Sequence, residues 1–124
     1  MRTTTIVLVP CYVLTMLMDF VSTYIRLMCA EQEMNPVART FLYIYGKEGL
    51  FVSLMFEILT VSVVCYLMYI AGLRKMLAAT LASLTILHIV GFLSTLSIYI
   101  IPIPILNIAL TLLLAAALLQ ELYK

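Results

Sequence analysis

Three ionisable side chains interrupt long apolar runs of this chain: Asp19, Glu57 and His88. Two carboxyls and an imidazole are groups that can share protons, hold a cation or act as a general acid–base set. Each is costly alone in hydrocarbon, where insertion scales put a central charge at about 2.5–3.5 kcal/mol. Gathered, they can satisfy one another, and two neighbouring carboxyls in a low dielectric are expected to share a proton at neutral pH. A metal site would need at least three oxygen or nitrogen ligands to converge. No HExxH, P-loop or dinucleotide-binding glycine pattern occurs, and no serine has a nucleophile's setting. The chain is therefore not expected to be an enzyme, and no cofactor is expected.

The elements that position these groups follow from composition. Of 124 residues, 65% are hydrophobic and 10% charged, and the mean hydropathy is +1.19. A soluble domain carries roughly a quarter charged residues, so the solvent of this chain must be lipid. The expected fold is all-α: one transmembrane domain, residues 1–124, built as a polytopic four-helix membrane bundle. Spans are expected over about 5–28, 50–73, 76–99 and 105–122, with a short interfacial helix over about 36–46 between the first two. The first run is read as a retained signal-anchor, because no small-x-small cleavage site follows it. Three cysteines, in separate segments and without a CxxC pair, read as buried small apolar residues.

An up-and-down course puts the end of the first span, the start of the second and the end of the third on one side. At 1.5 Å per residue, Asp19, Glu57 and His88 then lie about 13, 10 and 16 Å below that side. All three fall in one half of the bilayer. On the first helix Thr15, Asp19, Ser22, Thr23 and Arg26 share one arc opposite Leu, Val, Met and Phe. Asp19 is expected to bond Thr15, Thr23 or a neighbouring helix. Glu57 is expected to bond Ser53, Thr60 or Arg26, and Arg26 to snorkel toward the headgroups. In the one long polar connection, Asn35-Pro36 reads as a helix start, with Asn as the N-cap and Pro in the first turn. Gly46 ends that helix, and Arg74-Lys75 closes the next. The small residues Ala78, Ala79, Ala82 and Ser83 permit close helix contact. Ile101-Pro-Ile-Pro104 reads as an extended corner, with Asn107 beyond it at the same rim as the cluster.

Asp19-Phe-Val-Ser-Thr23 followed by Glu33-Met-Asn35-Pro36 resembles a family of small prokaryotic, often archaeal, multi-pass membrane proteins of unknown function. Its members carry Asp-x-x-x-Thr on the first helix and Glu-x-Asn-Pro in the loop after it. The resemblance implies that Asp19, Thr23, Glu33, Asn35 and Pro36 are signature positions. The family's usual glycine before the loop acid is missing here, where the chain reads Cys29-Ala30-Glu31-Gln32.

The polar intramembrane cluster expected from the sequence is thus Asp19, Thr23, Arg26, Glu57 and His88, with Glu33, Asn35 and Pro36 as a loop motif. Arg2, Arg74, Lys75 and Lys124 against Arg26, Arg39 and Lys47 place both termini in the cytoplasm by the positive-inside rule, as a multi-pass protein of the cell membrane. Small size and tiny loops suggest an accessory or structural subunit, with homo- or hetero-oligomeric membrane partners beside the lipid bilayer. The shared depth of the acids suggests, alternatively, a proton- or cation-coupled transporter or channel, which with so few helices would need an oligomer. A carboxylate-dependent intramembrane enzyme ranks third. A formal net charge of +1 gives no pull toward nucleic acid.

Overall fold

The computed structural model describes residues 2–27, 29–33, 35–95 and 103–122, with all side chains in them except those of 2–4, 103–108 and 122. Regular structure among these residues is entirely helical: α1 (Arg2–Arg26), α2 (Pro36–Tyr45), α3 (Gly49–Ile70), α4 (Arg74–Thr95) and α5 (Ile103–Leu122), with short 3-10 turns at Ala30–Gln32 and Gly46–Glu48. Three stretches are long and apolar enough to cross a membrane: Thr5–Arg26, Pro36–Ile70 and Arg74–Thr95. A 22-residue span rises about 33 Å at 1.5 Å per residue, enough for a hydrocarbon core of roughly 30 Å. The outward faces carry large apolar side chains, such as Ile6, Leu14, Ile25, Met55, Leu59 and Ile70, all exposed. In water such a surface would associate; against lipid it costs nothing.

The element boundaries correct several expectations. Arg74 and Lys75 open α4 instead of closing α3. A Schellman turn ends α3: Gly72 takes φ +73°, the Leu73 N–H donates to the Met68 carbonyl at 2.9 Å, and the Gly72 N–H donates to Tyr69 at 3.1 Å. Two cations at a helix N-terminus oppose the helix dipole. Glu121 of α5 offsets this by accepting the Lys75 N–H at 2.5 Å. Ile103 and Pro104 lie in the first turn of α5 and are not an extended corner, since proline's missing donor is harmless there. Ile101, Pro102 and the side chain of Asn107 lie outside the described residues, as do residues 96–99 of the expected third span. Cys11 and Cys29 are exposed and only Cys65 is half-buried, all three as free thiols. In lipid a thiol gains nothing by being inside, so the soluble-protein rule does not carry over.

Two apolar clusters hold the helices. Tyr12 and Met16 of α1 meet Leu77 and Leu81 of α4, with Val61, Cys65 and Met68 of α3 packed against them. At the other end Ala38 and Leu42 of α2 meet Leu50 of α3, with Phe20, Tyr24 and Leu27 of α1 alongside. α1 lies along α4 over much of its length, whereas α3 meets either of them sparsely. Ser83 is buried, as a small contact residue should be. Its hydroxyl has no partner among the described residues, so that position uses size and not hydrogen bonding.

The α2–α3 corner depends on Gly49. A Cβ there would overlap the Phe41 carbonyl and lie 2.8 Å from the Leu42 nitrogen. Gly49→Ala should therefore cost about 1–3 kcal/mol by overpacking. Gly72→Ala meets no neighbouring atom but keeps a positive φ, and should cost about 1 kcal/mol. Unfolding of both variants in the same micelles checks the order; an equal or reversed ranking contradicts the close approach at Gly49.

Candidate functional site

Three stripes of residues face one another. On α1 they are Tyr12, Met16, Asp19, Thr23 and Arg26, on α3 Leu50, Leu54, Glu57 and Val61, and on α4 Leu81, Leu84, His88, Gly91 and Thr95. Each follows alternating steps of three and four, the spacing that keeps side chains on one helical face. The α1 and α4 stripes turn polar toward one end, and on α3 Glu57 is the one polar member, set at the depth of Asp19 and His88.

At their meeting point His88 bridges the two acids. Its Nδ1 lies 2.9 Å from Asp19 Oδ2, and its Nε2 lies 2.7 Å from Glu57 Oε1. The Tyr12 hydroxyl donates to the same Glu57 oxygen at 2.9 Å, and its ring tilts against the imidazole with centroids 5.7 Å apart. The side chains of His88, Asp19 and Glu57 are 14%, 21% and 25% exposed, so the unit is largely enclosed but reachable. Asp19 sits directly on Gly91 of α4: a Cβ at that position would lie 2.6 and 2.7 Å from the two carboxylate oxygens. Glycine is what lets the carboxylate come between the helices.

Toward the rim the chain of polar groups continues. Ser22 Oγ donates to the Asp19 carbonyl at 2.9 Å, and Thr95 Oγ1 lies 3.0 Å from Ser22 Oγ. Arg26 Nη1 donates to the Thr95 carbonyl at 3.1 Å. Arg26 thus reaches across to α4 at Thr95, the last described residue of that helix, and is held there by a backbone acceptor as well as by any snorkelling. Glu57 does not take the partners expected of it. Thr60 instead donates to the Phe56 carbonyl of its own helix, and Arg26 is engaged at Thr95. Thr15 likewise bonds the carbonyls of Cys11 and Tyr12, not Asp19.

The loop motif builds its own geometry. Asn35 caps α2, accepting from the Val37 N–H at 2.9 Å and more weakly from Ala38 at 3.4 Å, with Pro36 opening the helix. The Glu33 carboxylate accepts the Asn35 N–H at 2.8 Å, and its carbonyl accepts from the guanidinium of Arg39. At the surface, Glu31 is held below the usual carboxylate range by its own backbone N–H and by the Tyr43 hydroxyl 3.1 Å away.

These parts border a half-open cavity of about 920 Å³ between α3 and the α1–α4 pair. Asp19, Thr23, Arg26, Glu33, Asn35, Pro36, Glu57 and His88 all line it. Sequence reasoning missed Tyr12, Gly91, Thr95 and Arg39. Tyr12 was accessible in principle, being seven residues before Asp19 on the same stripe. Gly91 had no signal, because a lone glycine in an apolar helix reads as neutral.

The geometry also limits the chemistry. The two carboxylates lie on opposite edges of one imidazole ring, so the three groups cannot converge on a single ion. No cluster of three or more His, Cys, Asp or Glu with metal-binding geometry occurs among the described residues. No family model, curated protein or solved structure matches the chain.

The seat on Gly91 yields a test. Gly91→Ala should push Asp19 off His88 and cost about 1–3 kcal/mol by overpacking. Asp19→Asn should then cost less in the Gly91→Ala background than in the wild type, because neighbours in contact are not additive. A double-mutant cycle by thermal unfolding in micelles measures this; strict additivity would show that Asp19 does not depend on Gly91.

Proposed function

We infer that this chain is a small integral membrane protein that exchanges protons for a monovalent cation at the Asp19–His88–Glu57 unit. The observation that carries the reading is the pair of short contacts on both ring nitrogens of one histidine, opening on a cavity. Each contact needs a proton between nitrogen and oxygen, on one atom or the other. Two protons over two contacts leave the unit at −1, counting two carboxylates at −1 each and an imidazolium at +1. A residual negative charge inside a low-dielectric span calls for neutralisation. A third proton can do this, and so can a cation from the cavity, but both together would leave the unit positive. Proton and cation therefore compete for the same charge, which is the elementary requirement of exchange.

A packing subunit that used the cluster only to lock an assembly would bury it among side chains, and the cavity beside it argues for a ligand instead. A carboxylate enzyme is disfavoured by acids that face away from each other across the ring. In this reading the chain is a four-span bundle with α2 at the interface and both termini cytoplasmic. A second copy completes the path, since one chain offers few helices to line it.

Purified protein in sealed liposomes containing a pH dye provides the test. Imposed gradients of Na⁺, K⁺ and small organic cations should shift the lumenal pH for at least one cation. Glu57→Gln and His88→Ala should each slow the shift by at least about tenfold, as expected for loss of a transferring group. Lumenal pH that responds no more than in empty liposomes would remove the reading.

A further inference from the structure

We propose that the cavity between α3 and the α1–α4 pair binds a singly charged organic cation with an apolar body. This deepens the exchange reading and rests on it. Three observations support the choice. The first is size. A volume of about 920 Å³ is at the upper end of the roughly 300–1,000 Å³ that small-molecule sites occupy. A bare ion would leave most of it empty, and a water takes only about 30 Å³.

The second is the wall. Phe20, Leu54, Phe56, Leu87 and Val90 line the cavity from three helices. An inorganic cation exchanges its hydration shell for several converging oxygen ligands; hydroxyls and amides such as Thr23, Ser53 and Asn35 also line the cavity, but the two carboxylates stand apart on opposite edges of one imidazole. A cation whose charge is spread over an organic body needs no such shell and gains from apolar contact.

The third is the charge. His88 occupies Asp19 Oδ2 and Glu57 Oε1, and Tyr12 shares the latter. The second oxygen of each acid, Oδ1 and Oε2, has no hydrogen-bond partner among the described residues. These oxygens belong to groups that line the cavity. Farther up, Glu33 and Arg26 contribute opposite formal charges, so the excess remains at −1. One positive charge matches it; an anion or a dication does not.

The probe is tetraphenylphosphonium, with tetraphenylborate as its anion of the same shape, added to the full chain in micelles. Equilibrium dialysis should show saturable binding of the phosphonium, with about one proton released per cation bound, and none of the borate. Asp19→Asn and Glu57→Gln should weaken binding at least tenfold. Leu87→Trp, which narrows the cavity while keeping all three ionisable side chains, should weaken it comparably while leaving the unfolding temperature within a few degrees of wild type. Equal uptake of both probes, or uptake unchanged in Leu87→Trp, overturns the proposal. Proton release on adding Na⁺ or K⁺ but not the phosphonium would end the organic-cation assignment and leave exchange standing. If none of the cations elicits proton release, both proposals end.

Discussion

Two hydrogen-bonded contacts on one imidazole tie three spans together. His88 reaches Asp19 on α1 with one nitrogen and Glu57 on α3 with the other. The α1–α4 pair has extensive side-chain packing of its own, but α3 does not share in it equally. For α3 the Glu57 contacts to His88 and Tyr12 are thus the polar attachment in mid-span. Lipid offers no competing donors or acceptors, so these groups find partners in the protein or pay the cost of isolation. The rest of the arrangement follows from satisfying that demand at one place.

The cavity is a consequence of how α3 is held. At one end its last turns join the Tyr12–Leu81 cluster, and at the other its first turn joins α2. Gly49 brings that first turn against the backbone of Phe41. Attached near both ends, and through Leu54 and Glu57 between them, α3 keeps only sparse contact with α1, and the cavity lies between them. The side chains facing that gap mix apolar ones, Phe20, Leu54, Phe56 and Leu87 among them, with the charged unit and with hydroxyls such as Thr23 and Ser53. A dry apolar void would be a pure loss of dispersion contacts. A void bordered by a charged unit is one that water or a ligand can occupy.

Much of this was readable in the sequence, and the part that was not has a common cause. Helices and their approximate ends followed from apolar runs, and Asn35-Pro36 announced the start of α2 by cap chemistry that is local to the chain. The common depth of Asp19, Glu57 and His88 followed from counting residues. Partner choice did not. Which acid meets which nitrogen depends on the rotation of each helix, and α3 and α4 are too uniformly apolar for periodicity to fix it. Tyr12 carries no signal of its own, because its partner Glu57 lies on another helix. Gly91 was passed over because its role is to be absent, leaving room for a carboxylate from another helix. The basic pair Arg74-Lys75 was assigned to the wrong helix because charge marks a turn without saying on which side of it the residues fall.

The proton inventory of the central unit is also a statement about its shape. If one of the two shared protons is lost, one ring nitrogen turns a lone pair toward a carboxylate oxygen at under 3 Å, and that contact becomes repulsive. Parting at Asp19 is resisted by the apolar packing between α1 and α4. Parting at Glu57 meets less resistance, because α3 has the sparser contact with its neighbours. Deprotonation would therefore loosen the wall of the cavity that α3 forms, and reprotonation would draw it back. In the proposed exchange the proton that a cation replaces is the third one, which leaves both ring contacts intact, so loosening of that wall would follow loss of a shared proton and not the exchange itself.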